Sequence, residues 1–380
     1  MNDPIATSDG AARRDSQGSR RSPTRACIFW CGGSSYISAG IRHLQRDPRL
    51  DVSFRVQLDA RGYDSSIFDG IDDVLTISAD RIDDVESQIE AVVAARPEVL
   101  VVSGWMLTAY LRLATDPRLR DTRFVMCIDR AWQGTMRQHI TSLVRRRYLR
   151  RMSLVVAAGE RSRVFARHMG VPEPRIRLGS YCCDFDAFAV AAESRRALPS
   201  WPRRLLFVGR LVEAKGLDTL VDGYARYRAL VQDPWPLSIC GRGPLEHLVE
   251  GQEGIELLGF VQPVDLPRIF AEHGALLLPS RHEPWGVAIA EACAAGLPVA
   301  CSERCGAGVD LVRDYSNGIT FASGDARGIR DALLYFHRHE ERLEEMGRIS
   351  STLAMPYSAR HWAMRWAEYL LAAASPDGDP

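Results

Sequence analysis

The sequence has almost no lysine, no net charge and no long apolar run, and each absence excludes a class of protein. Of its 48 basic residues only Lys215 is a lysine, and 48 acidic residues cancel the basic charge. Without net charge there is no global field to hold a nucleic acid, so we expect no nucleic-acid partner. No apolar run reaches the roughly 18 residues that cross a bilayer, and residues 1–24 lack the apolar segment of a secretion signal. We therefore expect a cytoplasmic protein with a disordered leader over residues 1–24.

Motifs for metals and for two common nucleotide folds are also missing. The nine histidines show no ligand spacing with cysteines or carboxylates. Asp184 and Asp186 form a D-x-D pair, but no further ligand accompanies it. Neither G-x-G-x-x-G nor a P-loop occurs, since GRGPLE at residues 241–246 ends in glutamate. These absences exclude dehydrogenase and kinase functions, and we predict no metal and no other cofactor. The nine cysteines lie largely in apolar runs, which favours reduced core residues.

What is present is an alternation of short apolar runs with amphipathic segments, which predicts parallel sheets covered by helices. The first series begins at Ala26 and lapses after residue 187, where prolines appear. A second series begins near residue 203. At 380 residues the chain is long enough for two such domains. We predict an α/β fold of two doubly wound Rossmann-like domains facing a central cleft, over residues 25–187 and 203–355, with a linker at 188–202.

The C-terminal segment 356–375 is predicted to be a helix that carries two tryptophans, Trp362 and Trp366. Two large aromatic side chains so close together need a surface to cover. Two placements are open: packing on the second domain, or a crossover that docks on the first. Residues 376–380 are predicted to be a tail.

In open parallel sheets, ligands bind at the turns that follow the strands, where helix N-termini leave backbone N–H groups free. Gly32 and Gly33 follow the first strand, and a tight turn is as probable there as an anion site. Gly209, Arg210 and Lys215 follow the first strand of the second domain. A guanidinium and an ammonium that flank one turn suit a diphosphate, although two solvated surface cations are an equal alternative.

A third turn follows the apolar strand Ala275–Leu278 and carries Glu283 in a loop and Gly286 near a helix start. The first turn of that helix exposes free N–H groups of Gly286, Val287 and residue 288, which suit a phosphate or a sugar oxygen. Glu291 lies within an otherwise small and apolar helix, where an unpaired carboxylate is costly to bury. It requires donors such as the hydroxyls of a sugar or ribose, unless it lies at the solvent edge.

Glu283 and Glu291, with seven residues between them, follow a Gly-Arg-x4-Lys-Gly segment, and this arrangement resembles the retaining glycosyltransferases of family 4, which have the GT-B fold. The resemblance also includes GRGPLEHL at residues 241–248, LLGFV at 257–261 and CGAGVDLV after the second glutamate. It covers nearly the whole chain. It implies a metal-free transferase that moves a hexose-type sugar from a nucleotide sugar to a carbohydrate, lipid-linked or small acceptor. A C-terminal helix that crosses back to the first domain and a role in polysaccharide or glycoconjugate biosynthesis are also implied.

The resemblance implies a role for each matching residue. Arg210 and Lys215 would hold the diphosphate, Glu291 the ribose, and Glu283 would face the transferred sugar. The remaining donor-binding positions are Gly32, Gly33, Gly209, Arg242, Gly259, Phe260, Trp285, Gly286 and Val287. A nucleotide-sugar epimerase or phosphorylase of the same fold, or a noncatalytic sugar-nucleotide-binding subunit, remains the alternative.

Many relatives carry a histidine after a first-domain strand, and this sequence departs from that pattern. The strand at 123–128 is followed by Asp129, and the nearest later histidine is His139. We predict that Asp129 contacts the sugar or the acceptor, and a structural carboxylate that caps a turn is equally open.

An arginine cluster near residue 150 is the last feature. It is interleaved with apolar residues, so it could rest on anionic lipid at the inner membrane face, or it could be a solvated helix end. Its members are Arg145, Arg146, Arg147, Arg150 and Arg151.

Overall fold

The computed structural model describes residues 22–58 and 64–375. Most of the predicted leader and the whole of the predicted tail lie outside these residues. Two entirely parallel sheets form the centre of the molecule, one of seven strands and one of six. Among the described residues, no helix combines the length and the apolar character needed to span a bilayer.

The first sheet has the strand order β3-β2-β1-β4-β5-β6-β7, and the second has the order β10-β9-β8-β11-β12-β13. Strands such as VLVV in β4 and ALLL in β11 are buried along their whole length, because helices cover both faces of each sheet. The strands are β1 Thr24–Cys31, β2 Leu50–Gln57, β3 Val74–Ile77, β4 Val99–Val102, β5 Arg123–Ile128, β6 Met152–Ala157, β7 Ile176–Leu178, β8 Leu205–Val208, β9 Leu237–Cys240, β10 Ile255–Gly259, β11 Ala275–Leu278, β12 Val299–Ser302 and β13 Gly318–Phe321.

Most α-helices connect successive strands, and three of them, α12, α13 and α14, follow the final strand. The predicted alternation and the two Rossmann-like domains are confirmed. The helices are α1 Ser35–Leu44, α2 Val85–Ala94, α3 Thr108–Leu113, α4 Met136–Val144, α5 Arg146–Arg150, α6 Glu160–His168, α7 Phe185–Arg196, α8 Leu217–Arg228, α9 Leu266–Ala271, α10 Val287–Ala294, α11 Gly306–Leu311, α12 Ala326–Arg338, α13 Leu343–Ala354 and α14 Ala359–Ala374.

Each sheet reverses its strand order once, between β1 and β4 in the first and between β8 and β11 in the second. At such a reversal the connections leave in opposite directions and open a crevice at the carboxyl ends of the strands. The turns after β1, β8 and β11 carry the Gly32–Gly33, Lys215 and Glu283 segments. Sheet topology therefore places these predicted site residues at crevices.

Helix α14 packs on the first domain, which confirms the predicted crossover. Trp362 and Trp366 are buried against α1 and the first sheet, with their rings 4.9 Å apart. Their indole N–H groups donate to the carbonyl oxygens of Ser180 and Gly179 at 3.2 and 2.9 Å. The last helix of the chain thus completes the core of the first domain.

The predicted linker, residues 188–202, is largely helical. It forms the greater part of α7, whose Phe188 contacts Phe270 of α9 with their ring centroids 5.1 Å apart. Arg195, also on α7, is buried and donates to the carbonyl oxygens of His273 and Ala295 at 3.0 and 2.7 Å. Helix α7 is therefore packed on the second domain.

Candidate functional site

Two loops of the second domain lie against each other at the crevice. Ala214, in the turn after β8, accepts hydrogen bonds at its carbonyl oxygen from the backbone N–H groups of Arg281 and His282 at 2.8 and 3.1 Å. Gly216 has a φ of +67°, and a Cβ there would lie 2.5 Å from the carbonyl oxygen of Pro279. Only glycine allows both this conformation and this approach. The Lys-Gly pair therefore holds Lys215 against the loop after β11.

The result of that approach is an ion pair between the Lys215 ammonium and the Glu283 carboxylate. Both side chains are largely buried, with 15% and 12% of their surfaces exposed. The Ser280 hydroxyl lies 3.4 Å from the same carboxylate oxygen, and the Ser302 hydroxyl donates to the Ser280 carbonyl oxygen at 2.5 Å. The two charges predicted to meet a sugar diphosphate are thus in direct contact with each other.

The loop that carries Glu283 leads directly into the N-terminus of α10. Its backbone is fixed by α11, since Gly306 donates to the Glu283 carbonyl oxygen at 3.1 Å and Ala307 to that of Trp285 at 2.7 Å. Gly286 precedes the helix with a φ of +99°, which a side chain would strain. The first N–H groups of a helix have no intrahelical partner and carry a positive partial charge. The Glu283 loop therefore adjoins a helix end whose backbone N–H groups carry a positive partial charge.

Glu291 lies inside α10 and is 8% exposed, so it is not at the solvent edge. Burial, followed by the charge of Asp184, raises the pKa of the Glu291 carboxyl to about 7. Among the described residues no hydrogen bond to this carboxyl is found. A buried carboxyl without protein donors is suited to accept hydrogen bonds from a ligand.

The turns after β8, β9 and β10 lie beside the Lys215–Glu283 ion pair and are connected to one another by backbone hydrogen bonds. Gly209 donates to Cys240 at 2.9 Å, Leu211 to Arg242 at 2.9 Å, and Gly241 to Gly259 at 2.7 Å. Arg210, predicted for the diphosphate, and the donor-binding positions Arg242 and Gly259 therefore lie on one continuous edge. Arg210 and Arg242 are exposed there, and Phe260 follows β10 at the same edge.

The Gly32–Gly33 turn follows β1 in the first domain and is buried. Gly32 donates to the Gln57 carbonyl oxygen at 2.8 Å, and a Cβ on Gly33 would lie 2.8 Å from the Phe68 ring. Helix α1 begins two residues later, at Ser35. The turn is thus tightly packed at the crevice of the first sheet, and its contact with a donor stays a prediction.

Asp129 follows β5 and accepts a hydrogen bond from the Tyr181 hydroxyl at 3.0 Å. Burial, followed by the charge of Asp129, raises the pKa of that phenol well above its usual range. Both side chains line a cavity of about 380 Å³. Its wall includes the aromatic side chains of Trp30, Tyr36 and Trp105 and, from the second domain, His282 and Pro284.

A smaller cavity of about 180 Å³ adjoins the Glu283 loop. Trp132 and Arg161 of the first domain line it opposite Glu283 and Arg304 of the second. Since His282 and Pro284 line both cavities, the Asp129 cavity and the Lys215–Glu283 pair are continuous parts of one cleft. Asp129 of the first domain and Glu283 of the second therefore face a common cleft.

Sequence reasoning missed Tyr181 and His282. His282 could have been found, because it immediately precedes Glu283 in the same loop. Tyr181 lies between strand β7 and helix α7, outside any motif, and stacks on Trp285 of the second domain at 6.3 Å between ring centroids. No sequence signal marks such a contact.

The predicted arginine cluster requires one correction, at Arg151. Its guanidinium donates to the carbonyl oxygens of Leu119 and Thr122 at 2.9 and 2.8 Å and lies 4.4 Å from the centroid of the Phe124 ring. These hydrogen bonds are donated by one guanidinium nitrogen, Nη2, and the side chain is half-buried in the first domain. Arg151 is therefore not part of the exposed cluster, whereas Arg146, Arg147 and Arg150 are exposed and Arg145 is half-buried.

Comparison with known proteins gives a family match to the second half of the chain. Residues 192–351 match the model of glycosyl transferases group 1. The D-rhamnosyltransferase WbpZ of Pseudomonas aeruginosa is 29% identical over 188 residues, which are 46% of this chain and 47% of that protein. The matched region thus spans less than half of that relative.

Solved structures match over most of the chain. HepE of Anabaena, in a complex with UDP and glucose, has a TM-score of 0.70 and 17% identity over 91% of this chain and 99% of that one. Sucrose-phosphate synthase of Thermosynechococcus elongatus has a TM-score of 0.70 and 16% identity over 93% of this chain and 100% of that one. These likenesses establish the GT-B fold, and the family match and the named relative support a glycosyltransferase.

Proposed function

We propose that this protein is a retaining, metal-independent glycosyltransferase of family 4 that transfers a hexose-type sugar from a nucleoside diphosphate. The observation that carries the proposal is the largely buried Lys215–Glu283 ion pair beside the N-terminus of α10. Breaking a glycosyl–phosphate bond leaves negative charge on the departing diphosphate. A fixed ammonium and free helix N–H groups stabilise that charge more in the transition state than in the bound donor.

In this proposal the donor lies mainly on the second domain. Arg210 and Lys215 hold the diphosphate, and the Glu291 carboxylate accepts hydrogen bonds from the two ribose hydroxyls. The base lies against the ends of β9 and β10, near Arg242 and Phe260. Support comes from the shared edge of these turns and from the absence of donors to Glu291 within residues 22–58 and 64–375. The solved relative HepE binds UDP and glucose, which is consistent with a nucleotide-sugar donor.

The transfer breaks the bond between the anomeric carbon and the phosphate oxygen and forms one from that carbon to the acceptor oxygen. The acceptor proton passes to the departing phosphate on the same face, so the anomeric configuration is retained. Lys215 neutralises the leaving group, and Glu283 orients the ammonium and faces the sugar. No metal is needed, because the protein supplies the positive charge at this position.

The acceptor is proposed to bind in the Asp129 cavity on the first domain. Its aromatic walls suit a sugar ring, and Asp129 and His282 offer polar contacts at the two sides of the cleft. A carbohydrate, lipid-linked or other small acceptor fits this description. A cytoplasmic location at the inner face of the membrane, in polysaccharide or glycoconjugate biosynthesis, completes the proposal.

Product analysis after a thermal-shift screen of nucleotide sugars tests the proposal. A stabilising nucleotide sugar is incubated with a panel of sugar acceptors, with and without a chelator. We expect a new glycoside of unchanged anomeric configuration and free nucleoside diphosphate, in equal yield when the chelator is present.

Other products would contradict the proposal in defined ways. A rearranged nucleotide sugar indicates an epimerase, release of a sugar phosphate indicates a phosphorylase, and binding without turnover indicates a noncatalytic subunit. Loss of activity on chelation would contradict the metal-independent step alone.

A further inference from the structure

Helix α4, Met136–Val144, is the one α-helix of the described part of the chain that buries no residue. It is nevertheless apolar on one side. Met136, Ile140, Leu143 and Val144 are 75%, 56%, 72% and 68% exposed. Positions spaced by four, three and one residues fall on one face of a helix. The surface of a soluble protein rarely exposes four large apolar side chains side by side to water.

The surrounding sequence is strongly basic, although the chain as a whole is neutral. Between Asp129 and Glu160 there are seven arginines and no acidic residue. Arg151 donates hydrogen bonds to backbone carbonyl oxygens of the first domain, so six arginines remain around the helix. They are Arg130, Arg137, Arg145, Arg146, Arg147 and Arg150.

We propose that α4 and these arginines, together called the α4 surface, bind an anionic lipid bilayer. The apolar face enters the boundary between headgroups and acyl chains, and the arginines contact lipid phosphates. A second copy of the chain is a poor occupant, because a two-fold contact would bring the same arginines together. An anionic bilayer satisfies both the apolar and the basic parts of the surface.

The α4 surface is firmly held at the mouth of the acceptor cavity. The Gln138 side chain donates to the Ala131 carbonyl oxygen at 3.0 Å and accepts from the Gln133 N–H at 2.8 Å, and Gln138 and Gln133 both line the cavity of Asp129. The following helix is anchored by Tyr148, whose hydroxyl donates to the Gly104 carbonyl oxygen at 2.9 Å. A bilayer on this surface would bring a lipid-linked acceptor to the cavity. The inference goes beyond the proposed transfer, since bilayer binding requires neither donor nor turnover.

Vesicle co-sedimentation of the full chain, without nucleotide, tests the inference. Vesicles of phosphatidylcholine alone are compared with vesicles that also contain phosphatidylglycerol, at low and at high salt. We expect binding to the anionic vesicles only, weakened by salt as the electrostatic part is screened. The double variants Ile140→Gln/Leu143→Gln and Arg146→Gln/Arg147→Gln should each bind about tenfold more weakly.

Matched controls exchange the same residue types elsewhere. Leu230→Gln/Val264→Gln removes two apolar side chains that are 58% and 81% exposed in the second domain. Arg327→Gln/Arg338→Gln removes two exposed arginines of α12. Both controls should bind as the unchanged chain does, and all four proteins should keep its melting temperature.

Three results would overturn the inference. One is no binding to anionic vesicles at low salt, and another is equal loss in the control variants. The third is a concentration-dependent dimer in light scattering that Ile140→Gln/Leu143→Gln abolishes, since a second copy would then cover the face. A failure of glycosyl transfer leaves this measurement unaffected, so the two proposals are tested separately.

Discussion

The two domains share one architecture but differ in how complete each is by itself. The second sheet is covered by helices from its own stretch of chain, and its crevice contains charges that pair internally, as Lys215 does with Glu283. The first sheet depends on α14, from the far end of the chain, to cover one face. Its crevice opens to an aromatic cavity, and its helix α4 buries no residue.

This difference separates a preorganised half from an adaptable half. Loops fixed by backbone hydrogen bonds, such as those from Arg281 and His282 to Ala214, hold charged groups in place before a ligand arrives. Such fixed dipoles and charges suit a leaving group that is the same in every turnover. In our proposal the acceptor, which is the partner that can differ, enters the larger cavity of the first domain, whose lining is both aromatic and polar. Each prediction below tests one side of this contrast.

The largest effect is expected from Trp366→Ala, which tests whether the first domain depends on α14. The substitution removes a fully buried indole, its stacking on Trp362 and its hydrogen bond to Gly179. We expect a loss of about 3–5 kcal/mol in the free energy of unfolding, measured in urea. The matched control is Met364→Ala on the exposed side of α14, with little change expected. A loss below about 1 kcal/mol for Trp366→Ala would show that the crossover is dispensable.

Next is Lys215→Ala, which tests the preorganised charge of the second domain. Loss of a charge that stabilises the leaving group should lower kcat by one to three orders of magnitude, and we expect Arg210→Ala to fall in the same range. Turnover is measured at saturating donor, with Lys215→Arg as the charge-conserving comparison and Arg338→Ala as a surface control. Unchanged kcat in both Lys215→Ala and Arg210→Ala, with intact folding, would remove the diphosphate assignment.

The sequence predicts this second half better than the first. The run ALLL was placed as a strand with the bounds Ala275–Leu278 that the structure has, and the turns after it carried motifs with a chemical reason. No periodic pattern marks strands β3, β7 and β13, because four residues or fewer with mixed burial give no such signal. The resemblance likewise implied the destination of α14, whereas periodicity alone left it open.

Some features of the candidate site can likewise be predicted from the sequence, and others depend on tertiary packing. Local spacing indicated Glu283 and Lys215, but their contact depends on the packing of Gly216 against Pro279, which spacing does not contain. Tyr181 and the solvent exposure of α4 follow from tertiary packing alone. The partial burial of Arg151 against Phe124 does too, which is why spacing alone grouped that arginine with the exposed ones.

A smaller effect is expected from Glu291→Gln. This variant tests whether the buried Glu291 carboxyl, proposed to bind ribose, lowers the stability of the second domain. The folded pKa of about 7 exceeds the ordinary value of 4.5, so between these pH values the folded state holds more protons than the unfolded state. Stability should therefore fall by about 1–3 kcal/mol as pH rises through this window and stay level above it. Relative to the unchanged chain, Glu291→Gln should be more stable at pH 8 and about equally stable at pH 4.5, as measured by thermal denaturation at both values.

The same variant should bind nucleotide more weakly in calorimetry, because a ribose hydroxyl loses a charged acceptor. Glu250→Gln, on the surface of the same domain, is the matched control for both measurements. Part of the pH dependence should remain in Glu291→Gln, since burial also raises the pKa of Asp310 to about 6. Equal nucleotide affinity in the two variants would leave Glu291 without a ligand role.

The smallest effect is expected from Asp129→Asn, which tests the adaptable half directly. Asparagine keeps an oxygen for the Tyr181 hydroxyl, so the fold is preserved and only the charge in the cavity is lost. We expect about a tenfold rise in the KM for the acceptor, the size of one hydrogen bond to a charged group, with donor affinity unchanged. Tyr181→Phe, which removes the partner hydroxyl and leaves the carboxylate charged, serves as the comparison. If donor affinity fell as much as acceptor affinity, Asp129 would belong to the donor site, and the division of labour between the two domains would be wrong at this residue.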